Sequence, residues 1–302
     1  MEEAKVYLDP RIEALESLGI EAVERLLDPQ QSPGPRAEAL DPRGERTRMR
    51  FPLPGTPLYE GGPMTEAPRG VGTGWVLLER WNRPALGPSL RARLTHPRSL
   101  SLAERTWNLL CHLRAGGVGT PEPLAVGSIK RGLLARDSFL ITREFENYLS
   151  LPDYLALARG AERRRGIQAV ALTLAKIMRC GVHLPGLVPE QLMVSAPKAP
   201  GETLCDLKAE LPPPGAGPGL KLNKMPSAIL IDVEGACMRS QPVASEVAGL
   251  FLALRELPLS PQEGLRALRL ALGHAPRPLR KQVQALLRAA GVYGTVPKAG
   301  TA

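Results

Sequence analysis

Several short stretches carry residues able to do chemistry. In AILIDVEGA an apolar run, Ala228 to Ile231, ends in Asp232, and Glu234 stands two residues on. A carboxylate that leaves a buried strand at a loop can hold a divalent cation, and it can equally cap the adjacent turn. RGVGTGW places Gly70, Gly72 and Gly74 just ahead of another apolar run. Closely spaced glycines expose backbone N–H groups that can cradle phosphate. The run itself, WVLLERW, carries a charged pair, Glu79 and Arg80. Arg80 offers charge to an anion and Glu79 repels one; as part of a plain strand the pair would face solvent. GVHLPGLVPEQLMVS, Gly181 to Ser195, has the form of a helix stop, a loop and a short strand, yet its centre is Leu184-Pro185-Gly186. His183 reads as a loop histidine with a routine hydrogen bond, and Pro185 and Pro189 stiffen the segment.

These residues need elements to hold them. Trp75 to Trp81 reads as a strand. Ser101 to Ala115 reads as an amphipathic helix, with Leu102, Trp107, Leu109, Leu110 and Leu113 on or near one face. Its serine start and Gly116-Gly117 stop match helix caps. Strands follow near Leu124 to Ile129 and Ser138 to Phe145, giving strand, helix, strand, strand. From Leu151 the pattern turns helical: Pro152 to Arg159, then Glu162 to Cys180 with Ile167, Val170, Ala171, Leu174 and Ile177 as its apolar face. Leu192 to Val194 and Ala228 to Ile231 are short β runs, and helices are expected over Val243 to Leu257, Pro261 to Leu272 and Pro278 to Ala290. Upstream, Pro10 to Asp28 has helical periodicity, Gln30 to Arg46 reads as a linker and Thr47 to Pro52 as a strand. The expected organisation is an N-terminal helix and linker (1–46), a sheet lobe (47–146), a helical lobe (147–295) with a proline- and glycine-rich surface insertion at 196–227, and a disordered tail (296–302).

The 302 residues are 43% hydrophobic, enough for a folded core, while aromatics are only 4%, so Leu, Ala and Val fill most of it. The net charge of +9 suits an anionic partner: nucleotide, phospholipid head group, lipopolysaccharide or nucleic acid. No nucleic-acid motif or aromatic-interleaved basic stripe is present, which argues against the last. Cys111, Cys180, Cys205 and Cys237 have no zinc spacing. Cys111 and Cys180 sit in helical apolar patterns and are expected as buried thiols, which implies a reducing compartment. The N-terminus lacks the apolar region of a secretory signal, and no apolar run is long enough to span a bilayer.

The order of these elements is that of a protein-kinase-like fold. SLSLAERTWNLLCHLRAGGVGTPEPLAVG, SFLITREFENYLSLPDYL and LAKIMRCGVHLPGLVPEQLMV…AILIDVEGA resemble the lipopolysaccharide kinase (Kdo/WaaP) family over roughly Gly70 to Leu257. The resemblance implies an α+β, bilobal fold: a small antiparallel-sheet N-lobe with one helix and a mainly helical C-lobe. It also implies ATP, Mg²⁺ and phosphorylation of lipopolysaccharide core sugars on the cytoplasmic side. It puts a phosphate-binding lysine at Glu79, or at Arg80 after a one-residue slip, and the lysine's glutamate partner at Thr106, with Glu104 on a different helix face. The implied nucleotide-facing set is Gly70, Gly72, Gly74, Arg80 and Glu144, and the implied metal set is Asp232 with Gln191. Leu184 takes the catalytic-loop histidine position and Gly186 that of the aspartate which accepts the acceptor hydroxyl's proton, a task glycine has no group to perform.

The sequence therefore points to a lipopolysaccharide-kinase-like protein that has lost phosphotransfer and acts by binding, in the cytoplasm or peripheral to the inner membrane. Its partner would be an anionic ligand or a protein of envelope assembly. Two alternatives stand beside this. One is an active sugar kinase with migrated residues: Arg80 for the lysine, Asp232 for Mg²⁺, and Glu190 or Glu234 near the acceptor. The other is a basic membrane-surface or nucleic-acid binder that keeps the fold only as a scaffold.

Overall fold

The structure is a computed structural model that describes residues 4–8, 26–27, 38–41, 46–52, 75–82, 101–130, 136–145, 148–184, 187–196, 226–233, 236–238, 244–253, 257–273, 275 and 277–290. Their contacts divide the chain into two compact units. The first takes Met1–Asn147, Ile177–Leu184 and Leu230–Gln241; the second takes Tyr148–Lys176, Pro185–Ile229 and Pro242–Ala302.

The first unit is built on a six-stranded sheet. Its strands are β1 (Ala4–Leu8), β2 (Glu38–Asp41), β3 (Arg46–Pro52), β4 (Trp75–Trp81), β5 (Pro123–Lys130) and β6 (Arg136–Arg143), in the order β1-β5-β6-β4-β3-β2. Every paired neighbour runs antiparallel. Successive side chains of a strand alternate between faces, so the register sorts the residues. One face of β4 carries Val76, Leu78 and Arg80, beside Phe51 of β3 and Phe139 and Ile141 of β6. Val76, Leu78, Phe51, Phe139 and Ile141 form a buried apolar cluster with Leu26, Leu27, Leu124, Ala125 and Ile129. The other face carries Leu77, Glu79 and Trp81 of β4 opposite Arg50, Arg48 and Arg46 of β3.

Helix α1 (Leu102–Ala115) packs on β5 and β6 through a side that buries Ala103, Leu109, Leu110 and Leu113. It begins as its sequence dictates. The Ser101 side chain accepts from Glu104 N, and the Glu104 carboxylate accepts from Ser101 N, a capping box. It ends at Gly117, whose φ of +74° is open to glycine at little cost. Val118 N donates to Leu113 O and Gly117 N to Arg114 O, so the last carbonyls keep partners.

The second unit holds β7 (Tyr148–Ser150), α2 (Leu151–Leu157), most of α3 (Gly160–Arg179), a 3-10 turn (Pro189–Gln191), β9 (Leu192–Ser195), α4 (Ala244–Ala253), α5 (Pro261–Ala271) and α6 (Arg277–Ala289). Ile167, Val170, Ala171, Leu174 and Ile177 are all buried, as the 3.6-residue period of α3 demands. Gly166 lies against the Tyr154 ring, where any Cβ would stand 2.1 Å from a ring carbon. Tyr154 is fully buried, and its hydroxyl donates to Glu162 O. Burial, then the charge of Glu162, pushes the phenol up to about 12.

Several sequence expectations change. Part of the expected linker, Glu38–Asp41, is strand β2, and Ala4–Leu8 is strand β1. Both are edge strands, too short for an alternation to be read. The same brevity hides β7, β8 (Val182–His183) and β11 (Cys237–Met238), of which β8 and β11 pair with each other. Cys111 is exposed and Cys180 half-buried rather than buried, because Cys111 turns away from the apolar side of α1 and Cys180 follows the last residue of α3. Glu79 and Arg80 are buried, not solvent-facing. Within Pro10 to Asp28 only Leu26 and Leu27 are described, and they are helical. Most of the 196–227 insertion and the tail from 296 lie outside the described residues.

Candidate functional site

Asp232 is the natural centre from which to build. Strand β10 (Ala228–Leu230) delivers it, and Leu230 N donates to Gly119 O at 2.9 Å. Beyond it the chain turns, with Ala236 N on Val233 O at 3.0 Å, and Arg105 of α1 donates to Ala236 O. The carboxylate is thus presented by a loop fixed on both sides. It meets two arginines of β3: Arg48 Nη2 donates to Asp232 Oδ2 at 3.0 Å, and Arg46 Nη1 stands 3.7 Å away.

The same arginines close on Glu79. Arg46 Nη2 reaches Glu79 Oε1 at 2.6 Å and Arg48 Nε reaches it at 2.8 Å. Arg46 and Arg48 are two residues apart on one strand and so share a face, and the register sets Arg48 opposite Glu79. Arg46 also lies over the Trp81 ring, 5.4 Å from its centroid. Burial by itself would push the Arg48 guanidinium down, but Glu79 and Asp232 together more than offset it and hold it above its ordinary value. The result is a quartet of two cations and two anions, matched in charge. The row continues with Arg50, which pairs with Glu38 at 2.6 Å and with Glu144 at 3.8 Å and lies over Trp75.

The other expected site residues have different surroundings. Arg80 is 0% exposed and leaves β4 on the opposite face from Glu79. Its Nη1 lies 3.5 Å from Met49 Sδ, on the core side of the sheet. Thr106 donates to Leu102 O, within its own helix. Glu104 is committed to the Ser101 cap and also accepts from Ser128 Oγ at 3.1 Å. Gln191 belongs to the second unit, where its Oε1 accepts from Val188 N and closes the 3-10 turn. His183 is buried in strand β8 rather than in a loop, and Glu190 is exposed. Gly70, Gly72, Gly74, Gly186 and Glu234 lie outside the described residues.

A Mg²⁺ ion fits this arrangement poorly. It demands near-octahedral oxygen ligands at about 2.0–2.1 Å, and Asp232 Oδ2 already faces two guanidinium groups. Among the described residues, no group of three or more His, Cys, Asp or Glu side chains is arranged to hold a metal. The arginines that define the site, Arg46, Arg48 and Arg105, were missed by sequence reasoning. The only signal for Arg46 and Arg48 was the alternation of RTRMR, which marks a one-sided charged strand without naming its partners.

Comparison with known proteins agrees with this architecture. Residues 75–207 match the model of the lipopolysaccharide kinase (Kdo/WaaP) family. The structure of WaaP in complex with acyl carrier protein is similar at TM-score 0.58 and 17% identity, over 95% of this chain and 94% of that one. The bifunctional kinase-methyltransferase WbdD matches at TM-score 0.34 and 14% identity, over 75% of this chain and 43% of that one. No curated protein sequence matches. The chain resembles the lipopolysaccharide kinase (Kdo/WaaP) family in sequence over residues 75–207 and shares the kinase-like fold of WaaP.

Proposed function

We propose that this chain is a lipopolysaccharide-kinase-like protein without phosphotransfer, acting by binding in envelope or lipopolysaccharide metabolism. The observation that carries the reading is the quartet of Arg46, Arg48, Glu79 and Asp232. The resemblance places a cation at the Glu79 position and a metal ligand at Asp232. Here the first is an anion and both carboxylates are bound by arginine, so neither is available for the task the family assigns it. Gly186, at the position of the proton-accepting aspartate, removes the remaining group.

A binding role needs a partner. WaaP was solved with acyl carrier protein, which supports a protein partner for this chain too. A peripheral place at the inner membrane is favoured by α6. Arg277, Lys281 and Arg288 follow each other there at helical spacing, all exposed, on a helix with no acidic residue. Among the described residues, no helix is long and apolar enough to cross a membrane.

The decisive experiment offers the purified protein γ-labelled ATP, Mg²⁺ or Mn²⁺, and lipopolysaccharide core acceptors. The expected result is no transfer above a blank, with Asp232→Asn indistinguishable from the unmodified protein. Metal-dependent transfer that disappears in Asp232→Asn would establish an active kinase instead.

A further inference from the structure

Arg48 stands in a position that the loss of a lysine does not by itself explain. It faces Glu79 across the β3–β4 ladder. Its side chain extends past that carboxylate to Asp232, with Nε on Glu79 Oε1 at 2.8 Å and Nη2 on Asp232 Oδ2 at 3.0 Å. The guanidinium therefore fills the space between the residue at the lysine position and the residue at the metal position. Arg80, the nearer substitute in sequence, is on the wrong face of the sheet.

Arginine has five N–H donors in a planar fork. The bonds to Glu79 and Asp232 use Nε–H and one hydrogen of Nη2, which leaves Nη1 with both hydrogens. The Arg48 side chain is 32% exposed, against 9% for Glu79, so Arg48 is the member of that pair that meets solvent. Trp81 and the ion pair with Glu79 fix Arg46 beside it. A fork held by two carboxylates has already lost its rotamer freedom, so a further anion orders little on arrival.

We propose that Arg48 is the phosphate-binding cation of this chain, moved from β4 to β3, and that it takes the polyphosphate of a nucleoside triphosphate without a divalent metal. The inference rests on the kinase-like reading above for the identity of the ligand. Its metal independence comes from the quartet. Arg48 and Arg46 already engage Asp232 Oδ2, so a divalent ion must compete with both at that oxygen, whereas a phosphate oxygen needs only the donors that Arg48 still presents. Because the quartet is formally neutral, affinity is limited by repulsion from Glu79, and removing that charge strengthens binding.

Calorimetric titration of the full chain with ATP, in EDTA and in Mg²⁺, tests this. The expected result is binding in EDTA that Mg²⁺ does not tighten. Arg48→Ala should weaken it by about tenfold or more, the loss of a charge-assisted contact, and Arg48→Lys should restore part. Glu79→Gln should tighten it, which loss of folding cannot imitate. Melting of each ligand-free variant identifies any that fail to fold. Arg277→Ala is the control for general electrostatics. Equal weakening by Arg277→Ala and Arg48→Ala overturns the proposal. So does binding that needs Mg²⁺ and depends on Asp232 but not on Arg48, and so does the absence of ATP binding in both the unmodified chain and Glu79→Gln. That last result leaves the reading of a binding protein without phosphotransfer intact. Observed γ-phosphate transfer would overturn that reading and leave the Arg48 comparison to be judged by the EDTA titration.

Discussion

Two basic regions of the molecule are built in opposite ways. On β3 the three arginines, Arg46, Arg48 and Arg50, alternate along the strand onto one face, and each finds a carboxylate: Glu79 and Asp232 for the first two, Glu38 and Glu144 for the third. Three cations face four anions, so this stretch is slightly acidic. On α6, Leu279, Val283 and Leu287 turn inward and α6 packs on α4. Arg277, Lys281 and Arg288 turn outward and take part in no ion pair among the described residues. The excess charge of +9 is thus no property of the candidate site. Net charge informs about long-range attraction to a partner, and the surface of α6 is one region that contributes to it here. The arginines of β3 are paired with carboxylates, whereas, among the described residues, the basic residues exposed on α6 are not.

The sharpest way to break this contrast is to remove the common anion. Glu79→Ala takes away the carboxylate shared by Arg46 and Arg48, in a side chain only 9% exposed. Arg46 and Arg48 both lose this carboxylate and keep their contacts to Asp232. Removing one partner of a buried pair costs about 3–5 kcal/mol, and these arginines are partly open to solvent, so about 2 kcal/mol is expected in urea unfolding. A cost within about 0.5 kcal/mol, typical of a surface position, would mean that the two basic regions do not differ.

The contrast also explains what was legible in the sequence. Features set by neighbours along the chain were legible: the Ser101 cap, the Gly116-Gly117 stop, the strand from Trp75 to Trp81 and the apolar face of α3. Charged residues are almost never fully buried unless paired, so Glu79 and Arg80 read as a solvent-facing pair. The partners that bury Glu79 are 31 and 33 residues away, and Asp232 is 184 residues from Arg48. No local pattern reports such pairs. The face of a strand is a parity, so a single step separates Glu79, above the arginines, from Arg80, among core side chains. The kinase-like order of elements was legible because it is a matter of sequence order, while the meeting of Arg48 with Glu79 depends on which strands lie side by side.

A smaller effect sharpens the comparison from the second unit, where Glu263 is paired but lies at a helix start. It accepts from Ser260 N at 2.9 Å, closing the capping box of α5, and from Arg163 Nε at 3.1 Å. Burial alone would raise its pKa, but the Ser260 backbone bond, then Arg163 and the Ser260 hydroxyl, outweigh it and hold the carboxyl below its ordinary 4.5. A carboxyl lowered on folding stabilises above its unfolded value and loses that contribution as pH falls through the folded value. Stability attributable to Glu263 should therefore be complete above pH 4.5 and decline below it. Glu263→Gln should flatten that part of the acid-unfolding profile, by about 0.5–1 kcal/mol for a cap and one partly exposed pair. An unchanged profile would show that these contacts are no stronger in the folded chain than out of it.

The smallest effect on stability is expected on α6, and for that reason it is informative. Lys281→Glu with Arg288→Glu reverses two exposed charges that have no partner to lose among the described residues. Unfolding free energy should move by no more than about 0.5 kcal/mol. Adsorption to anionic vesicles should behave differently, because each basic residue near such a surface contributes about 1 kcal/mol, or roughly fivefold. Reversal should weaken adsorption by at least that factor per residue, and most strongly at low salt. Glu79→Ala offers the opposite signature, with a large loss of stability and no weakening of adsorption. If both substitutions moved stability and adsorption together, α6 and β3 would belong to one electrostatic surface, and the division between a spent site and an unspent helix would fail.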